Sequence, residues 1–282
     1  MKNKTTFQFL KKLSIVITIT NLVSGCGSSN MVSNAKGPVG ISSKSGNTGT
    51  SAGGEGKTGT SAGSEGKTGS TARFNVMNNK LYTISGVGIA VFDITAPANP
   101  TRSGFTAVAG DIETLFNDGK NLFIGAQSAM YIYSVANPDR PSAMGIQRHA
   151  RSCDPVVTSG DLAYVTLRSD NQRCMGNTNV LKVINIQNPY QPFEVGSLRM
   201  FRPTGLGIAD DRLFVCNGES GMVEFDLWMP HRPRELANVR DEICSDIIPL
   251  EKTIITTGAS GISQYDIEQG RLVRLSRIEI EK

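Results

Sequence analysis

The chain has 282 residues, 29 of them Lys or Arg against 25 Asp or Glu, with two histidines and five cysteines. Residues 1–25 hold four of the lysines and no acid, so the remainder carries 25 basic and 25 acidic residues. A near-neutral chain without a basic stripe excludes nucleic-acid binding as its main role.

The first segment, "MKNKTTFQFLKKLSIVITITNLVSGC", has a lysine-rich start, a short apolar run and small residues ahead of Cys26. That order predicts a secretory signal peptide over residues 1–25, with an apolar run too short for a comfortable transmembrane helix. Its ending "LVSGC" resembles the lipobox of bacterial lipoproteins. The resemblance implies cleavage after Gly25 and a lipid-modified, palmitate-bearing Cys26 that holds the chain to a bilayer. Gly27, where an Asp would mark inner-membrane retention, points to the outer membrane of the cell envelope.

Residues 26–70 form the next region, mostly Gly, Ser, Thr and Lys, with a ten-residue repeat, "TGTSAGGEGK" then "TGTSAGSEGK". Such a segment cannot bury enough apolar surface to offset its ordering entropy and is predicted to be disordered. As a flexible coil of about 45 residues it spans roughly 35 to 40 Å. Its "GEGKT" and "SEGKT" stretches imitate a phosphate-binding loop. The first glycine of that motif falls on Ser51 or Ser61, however, and no apolar strand precedes either.

Residues 71–282 are built on one recurring cassette: "VFDITAPANPTRSG", "IYSVANPDRPSAMG", "VINIQNPYQPFEVG", "EFDLWMPHRPRELA" and "QYDIEQGRLVRLSR". Its polar position falls on Asp93, Ser134, Asn185, Asp226 and Asp266, at spacings of 41, 51, 41 and 40. Prolines recur at matched offsets in the first four copies and are missing from the last, as befits a terminal repeat. Each copy reads as four short strands. In the second copy these are "IETLF", "LFIGA", "MYIYSV" and "SAMGIQ", parted by turns rich in Gly, Asn and Pro. Four strands per forty residues is the arithmetic of a propeller blade, so the expected fold is an all-β, five-bladed β-propeller. Helical repeats would show apolar spacings of three and four, and open solenoids use shorter repeats. The first copy opens on its inner strand near Arg73 and the last ends on its outer strand, so the ring is expected to close without strand exchange.

The cassettes resemble the LVIVD repeat of bacterial surface and secreted proteins, at "IAVFDITAPANP", "MYIYSVANPDRP", "LKVINIQNPYQP", "MVEFDLWMPHRP" and "ISQYDI". The resemblance implies a propeller and, for a lipid-anchored subgroup, an anchor. It implies no reaction.

Four cysteines remain beside Cys26, and an even number in an exported domain favours disulfides. Propeller topology puts Cys153, Cys174, Cys216 and Cys244 toward one face, with Cys153–Cys174 and Cys216–Cys244 the preferred pairs. A four-thiolate zinc site is the alternative, although no CxxC pair occurs. Cys174 sits in "RSDNQRCMGNTN", residues 168–179, within the copy that is ten residues longer than its neighbours. That insertion is either tolerated or a recognition loop.

The same face is expected to expose Arg73, Glu113, Asp154, Thr204 and Asp246 around the channel mouth, as a candidate ligand ring. Gluconolactonase-like propeller hydrolases hold a channel metal with carboxylates and an Asn. Glu113, Asp154 and Asp246 alone qualify here, and Arg73 opposes a cation. His149 and His231 fall in different blades without a nucleophile beside them. Neither a catalytic residue nor a cofactor or metal is expected. The reading is a lipid-anchored binding scaffold with a protein or glycan partner at the cell surface. A metal-dependent hydrolase at the channel mouth and a purely structural envelope component are the alternatives.

Overall fold

The computed structural model of the chain describes residues 69–149, 151–152, 155–169, 178–259, 261–270 and 272–280. Five four-stranded antiparallel sheets follow one another in sequence. Blade 1 comprises β1 (Phe74–Met77), β2 (Lys80–Ser85), β3 (Gly88–Asp93) and β4 (Thr101–Ala107). Blade 2 comprises β5 (Ile112–Asn117), β6 (Asn121–Ala126), β7 (Ala129–Ser134) and β8 (Ser142–Arg148). Blade 3 comprises β9 (Val156–Ser159), β10 (Leu162–Leu167), β11 (Val180–Asn185) and β12 (Phe193–Arg199). Blade 4 comprises β13 (Leu206–Ala209), β14 (Arg212–Cys216), β15 (Met222–Asp226) and β16 (Arg234–Val239). Blade 5 comprises β17 (Asp246–Pro249), β18 (Thr253–Gly258), β19 (Gly261–Asp266) and β20 (Val273–Glu279). Together they form a five-bladed β-propeller, and among the described residues the four strands of each blade are consecutive in sequence.

The cassette is a turn device. In all five blades its polar side chain accepts a hydrogen bond from the backbone N–H two residues on: Asp93 from Thr95, Ser134 from Ala136, Asn185 from Gln187, Asp226 from Trp228 and Asp266 from Glu268. This is the Asx or Ser/Thr turn, which ends the third strand locally. In the Asp93 turn the Thr95 hydroxyl and N–H, helped by Lys80, hold the carboxyl down at about 2. The first proline of each pair then takes the second place of a β-turn, closed by Asn99 onto Ala96, Arg140 onto Asn137, Gln191 onto Asn188 and Arg232 onto Met229. Its fixed φ suits that place, and the second proline opens the outer strand. In the last blade the same job falls to a short 3₁₀ turn, Glu268–Gly270, without proline.

The small residue that ends each of the first four cassettes has a packing cause. A β-bulge falls between third and fourth strands at the same point in every blade. It brings Gly104, Gly145 and Gly196 against the turn of the next blade, where a methyl group would overlap the carbonyl oxygens of Asp139, Pro189 and His231. Ala237 holds this place in blade 4. There Arg212 ties the blades instead, donating to the Ile267 carbonyl and pairing with buried Glu224 at 2.9 Å.

Blades bury both faces, and four apolar clusters fill the junctions between blades 1 and 2, 2 and 3, 3 and 4, and 4 and 5. Among the described residues no such cluster fills the junction between blades 5 and 1. The pair Leu81–Phe92, on the face of blade 1 turned away from blade 2, is only half-buried. Its counterparts Leu122–Tyr133, Leu213–Phe225 and Ile254–Tyr265 are buried. Blade 5 also carries Ser276 where the first three blades have glycine, so its outer strand cannot approach the next turn as closely.

Gly145→Ala is expected to lower stability by about 1–3 kcal/mol through overpacking. Gly86→Ala, at a turn with open space around the added methyl, should stay within about 0.5 kcal/mol of the parent. Urea unfolding midpoints of the full chain compare the two, and equal losses would refute the docking role of Gly145.

Candidate functional site

Antiparallel alternation puts the starts of the five inner strands, the turns between second and third strands, and the links between blades on one face. The sequence-derived ring lies there, and its described members have the following surroundings. Arg73, just before β1, is exposed. Glu113, in β5, accepts from Gln127 at 3.3 Å, and Gln127 in turn accepts from Arg151 at 2.8 Å. Thr204, just before β13, is a structural tie. Its hydroxyl donates to the carbonyls of Cys216 and Cys244, and its own carbonyl accepts from Thr166 of blade 3 at 2.6 Å. Asp154 lies outside the described residues, as do Cys26, Cys153, Cys174 and residues 170–177.

Asp246, the first residue of β17, is engaged by the chain itself. The Ser70 hydroxyl donates to its Oδ1 at 3.2 Å, and the N–H groups of Thr71 and Ile247 add bonds of 3.3 and 3.0 Å. Ser70 Oγ accepts from Leu206 N–H of blade 4 at 2.8 Å, and the Ala72 carbonyl accepts from Leu115 N–H of blade 2 at 2.8 Å. Three consecutive residues thus touch inner strands of blades 5, 4 and 2 before the chain enters β1. A segment with those partners must cross the propeller axis. Gly69 and Gly205 both lie so close to the Asp246 carboxylate that neither could carry a side chain. Composition assigned Ser70 to the linker, yet it is buried in the fold. Nothing in a Gly/Ser/Thr-rich stretch marks one serine as different, because its partners are 136 and 176 residues away.

Desolvation raises the Asp246 carboxyl above the ordinary carboxylate value, against the opposing pull of its hydrogen bonds to Thr71, Ile247 and Ser70.

A second buried acid was not anticipated. Glu242, in the link from β16 to β17, accepts from the hydroxyls of Thr256 and Ser263, each at 2.8 Å, and of Tyr265 at 2.7 Å. Arg277 stands 3.9 Å off. Burial, with Glu242 beside it, pushes the Tyr265 hydroxyl well above its usual range. Two residues on, Cys244 is joined to Cys216 by a disulfide across a sequence separation of 28, the pairing expected for those two cysteines. Among the described residues no three His, Cys, Asp or Glu side chains converge on a point where a metal could be held. His231 lies exposed in the turn of blade 4.

Large apolar side chains stand exposed elsewhere. In blades 3 and 4 they include Tyr190, Phe193, Trp228 and Met229, with Trp228 87% exposed. The Tyr164 hydroxyl, donating to the Pro230 carbonyl at 2.9 Å, and Gly196, lying against His231, fix the turn of blade 4 on the outer strand of blade 3. These side chains therefore share one edge, on the face opposite the channel mouth.

Several solved structures are similar. They include the periplasmic gluconolactonase of Pseudomonas aeruginosa, with a TM-score of 0.54 and 14% identity, covering 72% of this chain and 68% of that one. BamB of Moraxella catarrhalis gives a TM-score of 0.53 and 13% identity, covering 78% of this chain and 64% of that one. A Lactobacillus plantarum protein gives 0.55 and 13%, covering 72% and 69%. At such identities the likeness concerns the fold alone. No family model and no curated protein matches the chain.

Two outcomes are expected from this geometry. A raised carboxyl pKa means that the folded chain binds the proton more tightly than the unfolded one. Stability therefore falls as pH rises from the ordinary carboxylate range through the raised value. Asp246→Asn keeps an oxygen for the three donors and removes this titration, so the variant should gain on the parent in denaturant midpoint from about pH 4 toward pH 7. Parallel pH profiles would count against it. Replacing Cys216 and Cys244 together by serine should cost about 3.5 kcal/mol, the loop-closure entropy of a crosslink of this span. Unfolding of the double variant without reductant measures that loss.

Proposed function

We propose that the chain is a lipid-anchored propeller of the cell envelope, held at the outer membrane through Cys26, that works by noncovalent binding of a protein partner. The cassettes are read as LVIVD repeats, and the five shared side-chain turns and four shared proline turns support that reading.

One observation carries the binding role. At the offset of Trp228 the other blades have Thr95, Ala136, Gln187 and Glu268, and at that of Met229 blades 1 to 3 have Ala96, Asn137 and Asn188. The turn forms equally well with small or polar residues, so its geometry does not require a large apolar pair. Trp and Met flanked by His231 and Arg232 have the composition of a binding hot spot, and Tyr190 and Phe193 extend it across two blades. The hydrolase alternative needs Glu113, Asp154 and Asp246 to act together. Asp246 is instead turned onto Ser70 and Thr71.

The test is site-specific photo-crosslinking in living cells. A photoreactive residue at position 229 is expected to yield a discrete protein adduct, and Trp228→Ala to reduce it at least tenfold. The same probe at exposed Asn78, a turn on the same face, should yield none. A glycan-sized adduct at 229 would replace the protein partner by a carbohydrate, and no adduct there would remove the binding role. Retention of the Cys26→Ser chain in the membrane fraction would separately remove the anchor.

A further inference from the structure

The channel-mouth face combines three features that the fold does not require. Val87, Phe201 and Ile243 project from it, 67%, 51% and 46% exposed, from the turn of blade 1 and the links into blades 4 and 5. Each is held out by rigid neighbours. The Val87 carbonyl accepts from Val108 N–H. The N–H groups of Phe201 and Arg202 both donate to Asn217 Oδ1, at 2.9 and 3.1 Å. Ile243 stands between Glu242, locked by three hydroxyls, and Cys244, locked by its disulfide. With both neighbours drawn inward, the isoleucine cannot fold back onto the protein.

Arginines surround these tips. Arg73, Arg148, Arg202 and Arg240 are exposed on this face, and none has an ion pair with another described residue. The exposed acids here are Asp111, Glu219, Asp241 and Glu279, of which Asp241 is already paired with Arg274 at 2.7 Å. The third feature is position: Gly69 and Ser70, ahead of β1, lie against Asp246 on this same face.

From these we infer that the channel-mouth face docks on an anionic lipid bilayer, with Val87, Phe201 and Ile243 entering the headgroup boundary and the arginines meeting lipid phosphates. Apolar tips within a basic surround are the chemistry of interfacial membrane binding. Each contact is weak alone. The inference rests on the proposed anchor for its tether, which makes docking intramolecular and raises the effective concentration of the bilayer at this face. Docked in this way, the propeller turns the Trp228 edge outward.

Trp228 is the only tryptophan, so it reports on the far face without any substitution. The full lipidated chain is reconstituted into vesicles of phosphatidylglycerol and phosphatidylethanolamine with brominated acyl chains. Its native fluorescence should be unquenched, whereas a Trp228→Phe, Phe201→Trp chain should lose at least half of its emission, and much less in neutral phosphatidylcholine. Quenching of Trp228 equal to that of the Phe201→Trp chain would overturn the assigned face. No quenching of the Phe201→Trp chain would overturn docking and leave the three tips to a protein partner. The mass of the N-terminal peptide reports separately whether Cys26 carries lipid. Should it not, the anchor fails by itself, and docking is read by flotation of the same chain with these vesicles. Phe201→Glu with Ile243→Glu should then cut flotation at least fivefold against the parent, and an unchanged fraction would overturn it.

Discussion

A blade with apolar side chains on both faces cannot stand alone in water, and the features shared by the blades answer to that constraint. The second strands show it most directly. Tyr82, Phe123, Tyr164 and Phe214 occupy one repeated position facing the next blade, and all are fully buried. Each such residue removes a large apolar area from water only because the following blade covers it. Close approach then depends on the glycines at the outer-strand bulges, and the proline turns present the carbonyls those glycines meet. Turn, bulge and core are parts of one packing solution, repeated around the axis.

The last junction departs from that solution. Leu81 and Phe92 are half-covered, and Ser276 replaces the glycine that would admit the next turn. Residues 69–72 supply polar ties in that region instead, linking Asp246 of blade 5 through Ser70 and Thr71 to the chain that becomes β1. The arrangement places a partly desolvated carboxylate at the axis, and hydrogen bonds from a backbone N–H and a hydroxyl partly offset that cost. In a channel crossed by its own chain, Thr204 and Asp246 of the predicted ring are bonded within the fold.

Legibility followed the range of the interactions. The blade count and the strand order within each blade could be read from the cassette, because its side-chain turn and its proline turn act within five residues. The Cys216–Cys244 bond was legible through topology, since strand alternation places both ends on one face. Ser70 and Glu242 were not. Ser70 lies in a stretch whose composition argues for disorder, and its partners come from two distant blades. Glu242 sits in a link that periodicity assigns to solvent, and the three hydroxyls that enclose it are set by how blade 5 packs on blade 4, a fact of tertiary structure alone.

In a repeat protein each blade is a control for the others, and this comparison separates fold from function. Residues shared by most blades, such as the polar turn position, the prolines and the bulge glycines, are explained by packing. Those that break the pattern without helping the packing are Trp228 and Met229 on one face, and Phe201 and Ile243 on the other. A Trp that is 87% exposed adds nothing to the core, and an Ile clamped between a locked Glu and a disulfide has been denied the core. Exposed apolar side chains at rigid sites keep their hydration cost until something covers them, and rigidity lowers the entropy lost when that happens. The two sets lie on opposite faces of a disc whose centre is crossed by its own chain. A propeller so divided suits a spacer between two surfaces, with its chemistry confined to the rims of its blades.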